Sequence, residues 1–455
     1  MLIEILHTED IIDICTKFKD AEFRCLVVGG AVRDALLGQE IHDIDLMTTA
    51  FPEEVTKIFT RFVPTGIDYG TITIFGKSGA MYEVTSCRED VETDGRRATV
   101  VRYTRDFSVD LRRRDFMINA LAYDPLTREL FGPGINDDPS QALWCLRWGV
   151  VSFVGDPKER IKEDMLRVLR AIRFALKIDG FIGTSSFDAI REAVDAFPGV
   201  LSRERVRDEL FKILAYREGA RFLHNCGLLL KIIPELVACD TQTQNKWHNT
   251  TVLEHSLSAA EGAESVESVD VAVIRFAMLL HDIGKPATAE WKNDEYGFSF
   301  INHEDAGVSI AEHVCDSLLL DNDTKALVLN IVRNHMSVPA EGASARSIRR
   351  FARRVGFDNV AVMLSVRRAD RFMRNPVSEE HLQHIQDVLS IVEKTPRKLT
   401  IDGHEIMRIA GIEPGPEVGK IKDWLTELVD EDLSLNTSDA LTSLLIQRLE
   451  LSIDK

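Results

Sequence analysis

The sequence predicts an α+β fold in which a small α/β head is followed by a long all-α remainder. Two observations support this prediction. Short apolar or alternating runs typical of strands are confined to the first part of the chain, and from about Pro157 onward almost every segment has the apolar period of a helix. Because 455 residues exceed the size of one ordinary hydrophobic core, the chain should form about two to four domains.

The predicted elements of the head follow one another in a regular order. Residues 1 to about 25 have the pattern of an amphipathic helix, and CLVVGG predicts a buried strand that ends in two glycines. AVRDALLG predicts a helix, IHDIDLMT a strand, and FPEEVTKIFTRF a helix with Pro near its start. GTITIFG and AMYEVTS alternate in polarity and predict a hairpin of strands. Residues 88–110 are polar and rich in arginine, which predicts an irregular, mobile loop, and RRRDFMINALAYDP predicts the start of a helix.

The composition excludes several classes of protein. Apolar residues make up 45% of the chain and charged residues 28%, as in ordinary soluble globular proteins. No window approaches the ~18 uninterrupted apolar residues of a transmembrane helix, and the first residues, MLIEILHTEDIIDICTKF, lack the basic start of a signal peptide. The seven cysteines are scattered and form no CxxC, which argues against a disulfide scaffold and a cysteine-based zinc site. We therefore expect a cytoplasmic protein without a membrane partner.

The charge of the chain is unevenly distributed. The net charge of −18 argues mildly against binding of a nucleic acid, which usually needs a basic surface. However, nine arginines lie between residues 344 and 374, and Arg112, Arg113 and Arg114 are consecutive. Each cluster fits either a phosphate-binding surface or an ordinary solvated helix face.

Gly29, Gly30 and Arg33 form the first candidate site for a phosphate. Glycines let the backbone approach a phosphate closely, and the start of the following helix offers free N–H groups to an anion. Arg33 would lie one turn into that helix and could bind the same anion. The alternative is a tight turn without a ligand.

Asp43 and Asp45 form a candidate metal site. Residues i and i+2 of a strand point to one face, and two carboxylates there repel each other unless a cation lies between them. Mg²⁺ prefers such oxygens and shares its coordination with substrate phosphates. Glu83, in the strand MYEVTS, is a candidate third carboxylate. The alternative is a pair of solvent-exposed side chains on an edge strand.

Two further groups could bind a nucleotide. Arg114 could bind phosphate while Asp115 and Asn119 bind ribose hydroxyls, unless these residues only begin a helix. In IKEDMLRVLRAIRFALKI, Asp164 and Arg167 are spaced to share one helix face, with Arg170 and Arg173 at further three-residue steps. A carboxylate beside a guanidinium complements cytosine and adenine and leaves guanine and uracil mispaired. The alternative is an ordinary ion pair.

These motifs together resemble a known family. GGAVRD, DID, EVTS, RRDFMINALA, EDMLRVLRAIRFA and LSRERVRDELFKIL occur in this order across about residues 20–215. They resemble the bacterial class II tRNA nucleotidyltransferases, the CCA-adding enzymes. The resemblance implies a nucleotidyltransferase head with a mixed sheet at residues 1–147 and a neck that recognises the nucleobase at 148–225. It also implies a helical body with an HD domain at 226–395 and a helical tail at 396–455, the last two binding tRNA.

The resemblance also implies an activity and its site. The enzyme would add C and A from CTP and ATP to the 3′ end of tRNA without a template and would use Mg²⁺. Gly30 and Arg33 would bind the triphosphate, Asp43 and Asp45 the Mg²⁺, and Asp164 with Arg167 the base. Residues 88–110 match the family's flexible loop, and their full length disfavours an enzyme that adds only CC. An enzyme that adds only A, and a poly(A) polymerase, stay open as alternatives.

A second cluster resembles the HD phosphohydrolases. It comprises His255, His281, Asp282, His303, His335 and Asp370. Imidazole and carboxylate groups are suitable ligands for a transition metal. The cluster predicts either a metal-dependent phosphohydrolase or a helical body that has kept the residues and lost the hydrolysis. The arginines of residues 346–374 would suit the backbone of the tRNA acceptor and TΨC arm. A different class of function is an HD phosphohydrolase whose head only binds nucleotide.

Overall fold

The computed structural model divides the chain into two compact units, Met1–Arg333 and Asn334–Lys455. It describes residues 6–66, 70–95, 98–199, 201–243, 250–267, 269–293, 297–371, 378–390, 399–431 and 433–453. Among the described residues, no helix is both long and apolar enough to span a membrane. All seven cysteines are buried and unbridged.

The strands of the described chain all lie in the first unit. They are β1 (Cys25–Val28), β2 (Asp45–Thr48), β3 (Phe62–Gly66), β4 (Thr71–Phe75), β5 (Met81–Ser86), β6 (Arg88–Thr93), β7 (Ala98–Tyr103), β8 (Ala122–Asp124), β9 (Glu129–Phe131), β10 (Val150–Val151), β11 (Phe181–Ile182), β12 (Ala289–Asn293) and β13 (Gly297–Phe300). Seven of them form one sheet in the order β3-β4-β5-β2-β1-β8-β9. In this sheet β2 and β5 are parallel and the other neighbours are antiparallel, which confirms the predicted mixed sheet.

Helices account for most of the remainder, as predicted. In chain order they are α1 (Glu9–Asp20), α2 (Gly30–Leu37), α3 (Pro52–Ile58), α4 (Phe107–Arg112), α5 (Ser140–Arg147), α6 (Pro157–Glu163), α7 (Arg167–Lys177), α8 (Thr184–Ala193), α9 (Arg203–Leu214), α10 (Gly219–Asn225), α11 (Leu229–Ile232), α12 (Val237–Thr241), α13 (Val252–Gly262), α14 (Val271–Leu280), α15 (His303–Ser317), α16 (Asn322–Asn334), α17 (Ala345–Val355), α18 (Val360–Asp370), α19 (Glu379–Ser390), α20 (Gly403–Ala410), α21 (Pro416–Glu431) and α22 (Ser438–Ile453). Strand β11, which pairs with β10, and the ribbon β12–β13 interrupt the region that the sequence predicts to be all helical.

The sheet of the head is held by an apolar core. Leu26, Val28, Met47, Leu111 and Ala122 are buried in one cluster that joins β1, β2, β8 and α4. Burial of each large apolar side chain contributes about 1.5–3 kcal/mol. This core fixes the ends of β1 and β2, where the candidate residues lie.

The second unit has a core of its own near its end. Ile406, Ile421, Leu425, Leu441 and Leu445 are buried together and join α20, α21 and α22. Asp402 caps the start of α20 with a capping box, in which its side chain accepts a hydrogen bond from the Glu405 backbone N–H and the Glu405 carboxylate accepts one from the Asp402 backbone N–H.

Three predicted elements of the head are wrong. Residues 88–110 are not an irregular loop, because β6 and β7 pair as an antiparallel hairpin and α4 follows them; residues 96 and 97 lie outside the described part. RRRDFMINALAYDP gives only a turn of 3-10 helix at Met117–Asn119 and then strand β8. The strand predicted over IHDIDLMT begins only at Asp45.

Candidate functional site

One cavity of about 830 Å³ in the first unit brings the predicted head and neck residues together. Its lining includes all thirteen of them: Gly29, Gly30, Arg33, Asp43, Asp45, Glu83, Arg114, Asp115, Asn119, Asp164, Arg167, Arg170 and Arg173. Nine cationic side chains and six carboxylates line this cavity, although the whole chain carries a net charge of −18. The cavity is therefore a positively charged site in an acidic protein, which suits a polyanionic ligand.

Gly29 forms the turn between β1 and α2. Its backbone has φ +70° and ψ −126°, which an L side chain rarely adopts. A Cβ atom at this position would also stand 2.9 Å from Nη1 of Arg114. Glycine is therefore needed here both for the turn and for the close approach of Arg114, and Gly30 then begins α2.

Arg33 is buried in the first turn of α2 and is held on two sides. Its Nε and Nη2 donate to the Asp34 carboxylate at 2.7 and 2.9 Å, and its Nη1 donates to Oδ1 of Asn119 at 2.5 Å. Lys177, from α7, donates to the same Asp34 at 2.9 Å. Burial raises the pKa of Asp34, but the hydrogen bonds from Arg33 and Lys177 outweigh it and leave that pKa lowered. The guanidinium is thus fixed in one orientation at the cavity wall.

Three carboxylates of the cavity differ from the others in having no partner. Asp45 and Glu83 lie opposite each other in the parallel pair of β2 and β5, and Asp43 lies two residues before the start of β2. Within the described residues, none of the three forms a hydrogen bond or a salt bridge. Although Asp45 is exposed on its cavity side, desolvation raises its pKa, Arg114 lowers it, and the charge of Asp43 raises it further. Three unpaired oxygen donors fit a hard divalent cation.

The other three carboxylates of the cavity each have a cationic partner. Asp34 binds Arg33 and Lys177, Asp115 accepts from Arg170 at 2.5 and 2.8 Å, and Asp164 accepts from Arg205 at 2.8 Å. Because Asp43, Asp45 and Glu83 have no hydrogen-bonded or ion-paired cation among the described residues, their oxygens are left to a ligand. This contrast separates carboxylates that organise the cavity from those that could bind a metal.

Arg114 is anchored by a residue that the sequence does not single out. Asp110, in α4, is buried and accepts from Arg113 at 2.7 Å and from Arg114 at 3.3 Å. Burial raises the pKa of Asp110, but the two guanidinium groups lower it more, so that its pKa is lowered. The buried Nε of Arg114 has no hydrogen-bond partner among the described residues. A phosphate oxygen would satisfy it.

Asp164 and Arg167 line the same cavity, but not as a pair on one helix. The predicted helix is broken, since α6 ends at Glu163 and α7 begins at Arg167, with Asp164 extended at φ −152°. Oδ1 of Asp164 accepts from the Leu166 backbone at 3.0 Å, which stabilises the break. Arg167 donates instead to Glu163 at 2.6 Å. The i, i+3 pair is therefore wrong as a contact, and the two residues lie on either side of the break between α6 and α7.

The hairpin β6–β7 reaches this break. The carbonyl oxygen of Gly95, at its tip, accepts a hydrogen bond from the Met165 backbone at 3.2 Å. The segment that the sequence predicts to be a mobile loop thus contacts Met165, one of the two residues between Asp164 and Arg167.

Phe174 stacks against three of the cationic side chains. The guanidinium carbons of Arg33, Arg170 and Arg173 lie 5.1, 5.4 and 4.3 Å from the centre of its ring. Arg173 also donates to Glu209 of α9 at 2.7 Å. Each cation–π contact contributes about 0.5–2 kcal/mol, depending on its desolvation. Sequence reasoning missed Phe174, because an apolar residue on a helix face predicts only core.

Other cavity residues were also missed by sequence reasoning. They are Asp34, His42, Arg88, Lys177 and Arg205. Asp34 directly follows Arg33, and Lys177 lies one turn after Arg173 on α7, so adjacency was an available signal for both. Arg205 comes from a separate helix, α9, and no local pattern predicts where its side chain lies.

The HD residues of the first unit form a buried cluster. Nε2 of His281 lies 3.2 Å from Nε2 of His255 and 3.2 Å from Oδ2 of Asp282, and Nε2 of His303 lies 3.3 Å from Oδ1 of Asp282. Nδ1 of His281 bonds to the Met278 carbonyl, and Nδ1 of His303 to the Phe300 carbonyl. These bonds orient both Nε2 atoms toward Asp282, as in metal sites.

Lysine supplies a positive charge at this cluster. Lys285 Nζ lies 2.6 Å from Oδ2 of Asp282. Burial raises the pKa of Asp282, but His281 and Lys285 outweigh it and hold that pKa well below its usual value. His335 and Asp370 belong to the second unit, where His335 is buried and Asp370 accepts from Arg367 at 3.5 Å.

Comparison with known proteins identifies both regions. Residues 25–141 match the Poly A polymerase head domain, and residues 252–372 match the HD domain. A CCA-adding enzyme of Limosilactobacillus reuteri is 31% identical over 424 residues, which cover 91% of this chain and 90% of the relative. A CCA-adding enzyme of Streptococcus sanguinis is 28% identical over 447 residues, which cover 97% of this chain and 98% of the relative.

Solved structures show the same fold. A CCA-adding enzyme of Bacillus stearothermophilus in complex with CTP has a TM-score of 0.72 at 22% identity, with 98% of both chains covered. A CCA-adding enzyme of Thermotoga maritima complexed with tRNA has a TM-score of 0.62 at 18% identity, again with 98% of both chains covered. Because the Limosilactobacillus relative is 31% identical across nine tenths of both chains, this chain belongs to the CCA-adding enzyme family.

Proposed function

We propose that this protein adds C and A residues to the 3′ end of tRNA from CTP and ATP, without a template, and releases pyrophosphate. The observation that carries the proposal is the division of the cavity carboxylates. Asp43, Asp45 and Glu83 are unpaired beside arginines that the paired carboxylates hold in place. That arrangement suits a metal-bound triphosphate. Relatives of this fold have been solved in complex with CTP, with ATP and with tRNA.

The proposed reaction is an in-line displacement. The 3′-hydroxyl oxygen of tRNA attacks the α-phosphate, and pyrophosphate leaves without a covalent intermediate. Mg²⁺, held by Asp43 and Asp45 with Glu83 as a third carboxylate, would lower the pKa of the hydroxyl and offset the charge of the leaving group. Arg33, Arg114 and the N–H groups at the start of α2 bind the triphosphate and stabilise its charge.

The remaining cavity residues select the nucleotide. Asp115 and Asn119 accept and donate at the ribose hydroxyls. The carboxylate of Asp164 accepts from the exocyclic amino group of cytosine or adenine, and the guanidinium of Arg167 donates to the neighbouring ring nitrogen. Arg170 and Arg173 complete the cationic wall. Guanine and uracil present the opposite order of donors and acceptors, and their mispairing in a partly buried site is costly.

We propose the same domain organisation that the sequence predicts: a head at 1–147, a neck at 148–225, a body at 226–395 and a tail at 396–455. In the second unit, α17 buries Ile348, Phe351 and Val355 and exposes arginines on its other side. That face suits the phosphates of the tRNA acceptor and TΨC arm. The unbridged cysteines support a cytoplasmic location.

The test is single-nucleotide extension of labelled tRNA that ends at the discriminator base, at C or at CC, with Mg²⁺ and CTP, ATP or both. Growth by three on the shortest transcript is expected. Growth only on the CC-ended transcript would identify an enzyme that adds only A, and a long A ladder a poly(A) polymerase. Asp45→Ala should abolish extension and leave tRNA binding intact. No extension by the wild type would overturn the proposal.

A second function is proposed for the HD cluster, namely hydrolysis of a phosphate ester with a transition metal. The convergence of His255, His281, His303 and Asp282 favours it. The purified protein should bind Mn²⁺, Co²⁺ or Ni²⁺ in calorimetry and hydrolyse bis(p-nitrophenyl) phosphate, and His281→Ala should lose both. Metal binding without hydrolysis would contradict the second activity and leave a helical body that has kept its ligands.

A further inference from the structure

We propose that Lys177 is a positioning residue of the nucleotide site, which acts through Asp34 to fix Arg33. This inference rests on the proposed function, in which Arg33 binds the triphosphate. Lys177 ends α7, far from the glycine turn in sequence, and its ammonium donates to Oδ2 of Asp34 at 2.9 Å. The same oxygen accepts from Nη2 of Arg33 at 2.9 Å.

Asp34 needs both cations. Its side chain is only 10% exposed, and a buried carboxylate is stable when charged only if its oxygens are satisfied. Arg33 donates to both oxygens, and Lys177 supplies a second positive charge. Without Lys177, Arg33 alone would neutralise the negative charge of the Asp34 carboxylate and would be held more tightly toward it. Less of its charge would then be available to a phosphate.

The first half of α7 holds the same arginine through a chain of hydrogen bonds. Arg33 donates to Asn119 at 2.5 Å, Asn119 donates to Asp115 at 3.1 Å, and Arg170 donates to Asp115. Arg170 and Lys177 are seven residues apart, two turns of one helix, so they lie on the same face. Phe174, between them, stacks against Arg33. Helix α7 therefore surrounds Arg33 with two polar anchors and one aromatic contact.

The experiment compares four single variants and one double variant with the wild type in the extension assay, at saturating tRNA and varied CTP or ATP. Lys177→Met keeps the length of the side chain and removes its charge, and Lys177→Arg keeps the charge. Lys162→Met is the matched control, because Lys162 forms an ordinary surface pair with Glu159 at 2.7 Å. Asp34→Asn and its combination with Lys177→Met complete a double-mutant cycle.

Lys177→Met should raise the KM for both nucleotides by about tenfold, the effect of one charge-assisted contact, with a smaller change in kcat. Lys177→Arg should keep the KM values close to those of the wild type, and Lys162→Met should have the KM values of the wild type. In the Asp34→Asn background, Lys177→Met should add little. If Asp34→Asn does not fold, the comparison of KM between Lys177→Arg and Lys177→Met decides whether the positive charge at this position is needed.

Two results would overturn the inference. An unchanged KM in Lys177→Met would remove any role in the nucleotide site. A fully additive double mutant would show that Lys177 acts on the nucleotide directly and not through Asp34. Either result leaves the extension by the wild type intact, so it is distinct from a failure of the proposed function.

Discussion

Individual side chains around the cavity differ in whether the protein itself supplies a partner. Arg33, Arg114 and Arg170 are each held by a buried carboxylate, namely Asp34, Asp110 and Asp115. Such a pair costs desolvation but fixes a flexible side chain in one place. The sequence shows the arginines clearly, because they lie in recognisable motifs. It does not show which carboxylate holds which arginine, since these contacts depend on side-chain geometry.

Asp110→Asn should destabilise the protein near neutral pH. The carboxylate of Asp110 is 1% exposed and bonded to Arg113 and Arg114, and breaking a buried ion pair costs about 3–5 kcal/mol. Asparagine keeps one acceptor, so we expect a loss of about 2 kcal/mol in the free energy of unfolding. Urea unfolding of Asp110→Asn and of the exposed control Asp208→Asn measures the difference.

The deficit of Asp110→Asn should depend on pH with a definite sign. The pKa of Asp110 in the folded state lies below its ordinary value of 3.8, so its charge stabilises the fold above that value. This stabilisation is lost as the pH falls through the lowered pKa. The wild type and the variant should therefore differ fully at about pH 7 and converge below about pH 4. A constant deficit across this range would contradict the assignment.

Whole elements were predicted well where their signal is local and poorly where it is not. α1, β1, α2, α3 and the β4–β5 hairpin follow from periodicity and from glycine or proline at their ends. The hairpin β6–β7 was missed, since β6 is polar and the hairpin depends on pairing across its turn. The break between α6 and α7 was missed because every residue across it is a good helix former except Asp164, whose side chain bonds to the Leu166 backbone.

Asp164 lies at the break between α6 and α7, and Asp164→Asn tests its role in nucleotide selectivity. An amide can donate as well as accept, so guanine and uracil would no longer be mispaired at this position. Relative use of GTP and UTP against CTP and ATP should rise about 10- to 100-fold, measured as kcat/KM on the CC-ended and discriminator-ended transcripts. Asp208→Asn, an exposed carboxylate on α9, should keep the wild-type preference. An unchanged preference in Asp164→Asn would argue against base recognition by this residue.

At the scale of the whole molecule, the net charge does not indicate what the protein binds. A net charge of −18 argues against a nucleic-acid partner, yet positive charge is concentrated in the head cavity and on α17. The fold class and the family were predicted from the sequence and are confirmed. The division of the described chain at residues 333 and 334 was not predicted, because no change of composition marks it.

The concentrated charge predicts how tRNA affinity depends on salt. Arg350 and Arg354 lie one turn apart on the exposed side of α17. Replacing both with alanine should weaken tRNA binding and reduce the slope of log Kd against log salt by about one to two, since each phosphate contact contributes about 0.7–0.9. Filter binding at several salt concentrations measures it. Lys158→Ala with Lys162→Ala removes the same charge from α6 and should leave the slope unchanged.

The parallel pairing of β2 with β5 has a consequence for how this protein can change over evolutionary time. Asp45 faces Glu83 only because Tyr82 and Val84 on either side are buried in the core and hold β5 in its register. A shift by a single residue would bury Glu83 and expose its neighbours. Conservation of the Asp45–Glu83 pair therefore depends on apolar positions that do not contact a nucleotide. Substitutions at those positions would reduce the activity before they prevent folding.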